Sequence, residues 1–245
     1  MDSDYSSRYA ELYRAHWWWR SRENLVITKI AERAPADGWE RALDVGCGDA
    51  LFLGRLAGFA NTVEGLEIDE SLVSEGAAER HTIHIGALAE TFEPASPYDF
   101  VSMLDVLEHI EEPLPALKRA REVMSPGGVL LITVPAFQAL WTSHDDLNHH
   151  FVRYTRRDLA RLVEEAGFEV VESRYFFHWL APPKWILGRT ERVLGIRLHR
   201  AEVPRRALNA LLYAVSRVEQ AAFRRLRWFP GSSILLVALN RTSDS

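Results

Sequence analysis

The stretch Leu43-Asp44-Val45-Gly46-Cys47-Gly48 constrains this chain more than any other. An apolar strand runs into a glycine-rich turn, and a second run, Thr62 to Glu67, ends on a carboxylate. Glycine adopts left-handed backbone angles at little cost and lets a ligand approach the main chain. An acid at the end of the second strand can accept hydrogen bonds from two ribose hydroxyls, as in dinucleotide-binding folds. The pair therefore predicts a site for an adenosine-containing cofactor. Two phosphate-binding alternatives fail on spacing. The dinucleotide fingerprint needs a third glycine, but Leu51 follows, and no Gly-Lys-Ser/Thr of a Walker loop is present there.

Alternating strand and helix patterns follow. Strands are expected at 41–45, 62–67, 82–85, 99–104, 129–134, 169–176 and 234–240, and helices at 22–33, 50–60, 71–80, 113–124 and 155–167. Ser125-Pro126-Gly127-Gly128 reads as a turn, Thr155 as an N-cap and Gly167 as a helix stop. Such alternation implies a mainly parallel sheet covered by helices on both faces, with ligands at the carboxyl ends of the strands.

With Asp44 ahead of its glycines, the first motif resembles motif I of the class I S-adenosylmethionine-dependent methyltransferases. The likeness continues in order. Glu64-Gly65-Leu66-Glu67-Ile68-Asp69 resembles their second-strand motif, and Tyr98-Asp99-Phe100-Val101 with Leu107-Glu108-His109-Ile110 their fourth. Pro126 to Ile132 resembles the fifth strand and its turn, and Ala166-Gly167-Phe168 the turn before the sixth. The resemblance spans about residues 40–177. It implies a Rossmann-like, seven-stranded, mostly parallel sheet with an antiparallel seventh strand, and S-adenosylmethionine as cofactor. One methyltransferase domain is expected, with an N-terminal helical lid (1–38), a cofactor-binding core (39–177), a basic helical insertion (178–231) where the family often has a short hairpin, and a last strand and tail (232–245).

By the same resemblance Asp44, Gly46, Cys47 and Gly48 line the cofactor's amino end, and Glu67 with Ile68 takes the ribose. Asp69 is the rival acid, expected to cap the next helix. Family members often place an acid on the adenine amine where Ala87 stands. Here the backbone at Ala87 and Leu88 holds the adenine, or Glu90 reaches in. Leu104 closes the site from the fourth strand. Arg22, or Arg20, approaches the cofactor carboxylate. Cys47 reads as a small packed residue rather than a nucleophile.

Methyl transfer from a sulfonium needs alignment, and a hydroxyl acceptor also needs a base. His149 and His150, in the cluster His144-Asp145-Asp146-His149-His150-Arg153-Tyr154, are the first candidates, with His109 behind them. A structural polar loop explains the same cluster. Asp105, Glu108 and His109 share one helical face, as in the ubiquinone-biosynthesis O-methyltransferases that this region resembles. A divalent metal is one reading of that trio, and capping of the strand–helix junction is the preferred one. No residue is therefore assigned to a metal. Trp18, Trp19, His144, Tyr154 and His178 are expected against the substrate. The Trp17-Trp18-Trp19 run reads as a drying lid or as core packing.

Composition limits the partners. The 245 residues are 47% hydrophobic and 26% charged, with a net charge of −5 and one cysteine. No leader pattern or membrane-length apolar run is evident, so a reducing cytoplasm is expected. The charge argues against nucleic acid. Yet residues 178–230 hold eleven Lys and Arg against three acids, a net of +8 that leaves −13 elsewhere. Within them Leu208, Leu211, Leu212, Val215, Val218, Ala222 and Leu226 recur at helical spacing. This insertion reads as a substrate cap, a dimer surface, a membrane-surface element or a solvated basic face. The expected reaction is methylation of an anionic or apolar small molecule, at oxygen or nitrogen before carbon, by a monomer or homodimer. The alternatives are a lipid-linked or peptide acceptor at a membrane, and cofactor binding without catalysis.

Overall fold

The computed structural model describes residues 10–89, 92–196, 202–223 and 229–241. Seven strands form one sheet: β1 Trp39–Val45, β2 Ala60–Glu67, β3 Thr82–Ile85, β4 Tyr98–Leu104, β5 Met124–Pro135, β6 Glu169–Phe176 and β7 Ser233–Leu239. Their order is β3-β2-β1-β4-β5-β7-β6. All neighbours run parallel except β7, which is antiparallel to both β5 and β6. The chain order reverses between β1 and β4, so the crevice falls beside the glycine turn.

Eight helices carry labels here: α1 Trp17–Ala31, α2 Leu53–Leu56, α3 Glu75–Arg80, α4 Pro113–Glu122, α5 Ser143–Leu147, α6 Arg156–Glu165, α7 Ala181–Leu194 and α8 Arg206–Ala222. Thr155 caps α6 by accepting from the Asp158 N–H, and Gly167 follows at φ 93°. The helix expected after the glycine turn is cut to the single turn α2. Ala50 there is left-handed, and Gly54 and Gly58 weaken helix propagation. The turn expected at 125–128 is instead a bulge within β5, where the pairing with β4 shifts.

Side chains alternate across the central strands, as the two-residue strand period demands. Leu130, Ile132, Val134, Leu236 and Ala238 join one buried layer with Leu117, Leu159 and Val163 of α4 and α6. Val129, Leu131, Leu235 and Val237 join the other with Leu25, Val26 and Ile30 of α1. The region between β6 and β7 contains α7, which packs on a 3-10 turn at Gln138–Leu140, and α8, which packs on α1. Gly188 lets α7 approach closely, since a Cβ there would lie 2.4 Å from the Trp141 carbonyl oxygen. No helix among the described residues is long and apolar enough to cross a membrane.

Candidate active site

The strand ends bring four acids into one crevice. Asp44 lies opposite Ser102 in the β1–β4 register, and the Ser102 hydroxyl donates to Asp44 Oδ1 at 2.6 Å. Burial pushes the Asp44 carboxyl up to about 7, against the opposing pull of Ser102 and Arg22. Glu67 is buried and clasped by backbone: the Gly48 N–H donates to Oε2 at 2.8 Å, and those of Ile68 and Asp69 to Oε1 at 2.9 and 3.1 Å. Gly46 must be glycine, with φ 70° and a Cβ position 2.6 Å from a Val106 methyl. Asp105, at φ 57° just past β4, ion-pairs with Arg22 of α1 and accepts from the Thr133 hydroxyl at 3.1 Å.

The fourth acid, Glu108, is 1% exposed, and its Oε2 has no hydrogen-bond partner. Burial first, and then Asp105, raises its carboxyl well above the ordinary range. Glu108, His109 and His150 each offer a ligand atom, and these atoms lie within 4.8 Å of one another. The two histidine rings meet edge-on at 4.6 Å. His109 is held below the usual imidazole range, by desolvation and then by His150. His150 Nδ1 lies 2.9 Å from Asp145 Oδ1, and a carboxylate there fixes the proton on Nδ1 and frees Nε2 to accept. Asp145 is fully buried, forked by the Arg153 guanidinium at 2.8 and 3.0 Å. Those contacts with His150 and Arg153 outweigh burial and hold its carboxyl well below the ordinary range.

The comparisons decide the family. Residues 18–173 match the methyltransferase domain family. The chain belongs to the S-adenosylmethionine-dependent methyltransferases. It is 31% identical over 171 residues to a Mycolicibacterium smegmatis protein named "probable S-adenosylmethionine-dependent methyltransferase", covering 68% of this chain and 65% of that relative. The chain thus spans just under two thirds of that relative's length. It is 25% identical over 203 residues to the ubiquinone biosynthesis O-methyltransferase of Thiobacillus denitrificans, covering 70% of this chain and 85% of that one. A solved chain from the complex between the Haloferax volcanii Trm112 methyltransferase activator and a methyltransferase superposes with a TM-score of 0.63. Its identity is 17%, with 99% of this chain and 96% of that chain covered, a likeness of fold alone.

In this methyltransferase the residues expected around the cofactor separate by environment. Asp44, Gly46, Gly48, Glu67, Leu104 and Arg22 converge on the crevice at the ends of β1, β2 and β4 and the facing part of α1. Cys47 is buried against Gly65, and burial pushes its thiol up, away from reactivity. Ile68 is exposed, Ala87 is half-buried, and the Leu88 side chain belongs to the core, leaving its backbone for a ligand. Glu90 lies outside the described residues. Asp69 accepts from Ser71 and caps the following 3-10 turn, as expected.

The residues expected on the acceptor side also separate by environment. His149 is exposed at a left-handed turn, whereas His150 enters the cluster. Asp105 turns to Arg22, so His150 replaces it beside Glu108 and His109. Tyr154 is buried, and its hydroxyl donates to the Leu107 carbonyl at 3.2 Å, tying its loop to the segment after β4. His178 is buried beside Phe223 and Phe229 and contacts the Pro230 carbonyl, under the β6–β7 region. His144 is exposed on α5. Trp18 and Trp19 are half-buried, with Arg22 5.3 Å from the Trp18 ring centroid. Lys184, in sequence one more cation of the basic insertion, is half-buried near Asp145 and Arg153. Desolvation and Arg153 push it down to about 8, against the pull of Asp145 and Asp105.

Proposed function

We propose that the methyltransferase moves the methyl group of S-adenosylmethionine onto a hydroxyl oxygen of a small-molecule acceptor. The observation that carries this reading is the His150–Asp145 contact at 2.9 Å, beside the crevice that holds Asp44 and Arg22. An amine needs only its lone pair, whereas a hydroxyl benefits from an oriented base. The relatives named ubiquinone biosynthesis O-methyltransferases support the same acceptor atom.

In this reading ionised Asp44 takes the cofactor ammonium, and Arg22 takes its carboxylate. Glu67 already accepts three N–H bonds, so one acceptor direction on Oε2 remains for a ribose hydroxyl. Trp18 and Trp19 exclude water. S-adenosylmethionine, when bound, would supply a sulfonium-activated methyl group, and the carbon–sulfur electron pair would leave with the sulfur as the acceptor oxygen bonds to that carbon. The acceptor proton passes to His150 Nε2, and Asp145 stabilises the imidazolium. Labelled cofactor supplied with a phenol and with an aryl amine tests the acceptor atom. Ether product supports the reading, and exclusive N-methyl product overturns it.

A second reading comes from the unpartnered, buried Glu108 Oε2. Glu108, His109 and His150 fit a divalent cation, which would keep that carboxyl ionised and supply Lewis acidity toward an acceptor oxygen. Loss of activity with chelator, restored by magnesium or manganese, favours this reading over His150 as a free base.

A further inference from the structure

A helix on a globular domain ordinarily turns its apolar stripe inward and its polar face to water. Helices α7 and α8 depart from this: Leu212 and Tyr213 of α8 pack inward beside α1, but most of the large apolar side chains of both helices face out. Toward the body, α8 directs Asn209, Ser216, Glu219 and Gln220, and each is bonded there. Asn209 accepts from the Trp17 N–H at 2.9 Å and donates to the Ala15 carbonyl at 2.8 Å. The Ser216 hydroxyl accepts from the Trp179 indole at 3.3 Å. Glu219 accepts from the N–H groups of His178 and Trp179 at 3.0 and 3.2 Å, and Gln220 donates to the Ser21 carbonyl at 2.9 Å. Outward, α8 shows Leu208, Leu211, Val215 and Val218, the last 69% exposed. Helix α7 repeats the pattern. It buries Gly188 and Glu191, the latter held by Ser143, and exposes Trp185, Ile186, Val193 and Leu194, with Val193 at 82%.

This is a concentrated feature. Among the described residues, ten of the fourteen large apolar side chains left exposed lie between 185 and 229. Exposed apolar side chains that are neighbours along one helix face, as Leu208, Leu211, Val215 and Val218 are, mark a contact site. Charge then selects the occupant. Of the three acids in this stretch, Glu191 and Glu219 are buried and bonded inward, so the outward charge is almost wholly positive. Arg189, Arg192, Arg205, Arg206 and Arg217 are exposed among the apolar residues, and Arg189 lies 4.7 Å from the Trp185 ring centroid. A second copy pairing this face with itself would set arginine against arginine. A nucleic acid would take the arginines and leave the leucines and valines wet. An anionic bilayer takes both, headgroups on the guanidinium groups and acyl boundary on the apolar stripe. Tryptophan is at home at that boundary.

We propose that the outer faces of α7 and α8 dock this methyltransferase on anionic lipid surfaces. The inner faces of the same helices rest on segments that flank the crevice. Helix α7 touches the Gln138–Leu140 turn and Ser143, ahead of Asp145 and His150. Helix α8 touches α1, which carries Arg22. A lipid surface on these helices would therefore lie close to the elements that frame the reaction. The docking itself does not depend on which acceptor atom is methylated.

Flotation of the full chain with vesicles tests this, using phosphatidylcholine alone and phosphatidylcholine with phosphatidylserine. The chain should float with the anionic vesicles and about tenfold less with the neutral ones. Leu211→Glu with Val218→Glu should abolish flotation while circular dichroism and S-adenosylmethionine affinity stay unchanged. Failure of the folded parent to float overturns the proposal, as does flotation that survives the double variant. A stable dimer that the double variant dissociates, without flotation of the parent, assigns the face to a second copy instead.

Discussion

Two regions of this methyltransferase hold groups at odds with their surroundings, in opposite senses. In the crevice, polar groups are buried: Asp44 under a desolvation penalty and Glu108 with a bare oxygen. On the outer face of α7 and α8, apolar groups are wet. A buried carboxyl without enough partners and an exposed leucine stripe both cost free energy in the free protein. Each mismatch is relieved by a particular ligand chemistry: a cation or hydrogen-bond donor in the crevice, a lipid boundary on the helices. Local misfit therefore identifies two surfaces that composition alone does not separate.

The comparison breaks most sharply at a well-fitted position. Leu159 on α6 faces the sheet and is fully buried, so Leu159→Ala should destabilise by roughly 2–5 kcal/mol in chemical denaturation. An effect near zero would mean that α6 is not held on the sheet as described. Relieving the polar misfit should act the other way. The Asp44 carboxyl rises from 3.8 to about 7 on folding, so between those pH values the native state holds a proton that the unfolded chain lacks. Its contribution to stability is therefore lost as pH rises through that window. Asp44→Asn should flatten this dependence and stabilise the free protein above pH 7, by up to about 4 kcal/mol at roughly 1.4 kcal/mol per unit. The same variant should bind S-adenosylmethionine more weakly. Calorimetry on the parent should show affinity climbing as pH passes about 7.

The inverted helix offers a smaller effect. Glu219 accepts from the His178 and Trp179 N–H groups shortly after β6, and Glu219→Ala should cost about 1–3 kcal/mol by leaving them unpaired. Smallest of all, Val218→Glu should change stability by less than about 0.5 kcal/mol, because the side chain it replaces meets water already. A large loss there would contradict an outward-facing stripe.

The crevice was readable in sequence because its parts are local. A glycine that must be left-handed, an acid at a strand end and the order of strands all leave short-range signals, and Gly46, Asp44 and Glu67 lie where those signals put them. On the acceptor side the cluster was legible but its pairing was not: sequence could not separate His150 from His149, because the contacts of Asp145 with His150 and with Arg153 are tertiary and leave no spacing signal. Periodicity marked Leu208 to Val218 as one face of a helix but could not say which face would be covered. That was decided by polar partners far away in sequence, Ala15, Trp17 and Ser21 on α1's side and His178 and Trp179 before α7. The shortening of α2 was legible in part, in Gly54 and Gly58.

The most direct test is the rate of labelled methyl transfer to a phenolic hydroxyl by His150→Ala, with S-adenosylmethionine saturating and its affinity measured alongside. A fall of about a hundredfold or more with cofactor affinity intact is the expected result. A variant that transfers methyl at the parent's rate would contradict an oxygen-directed reaction assisted by His150.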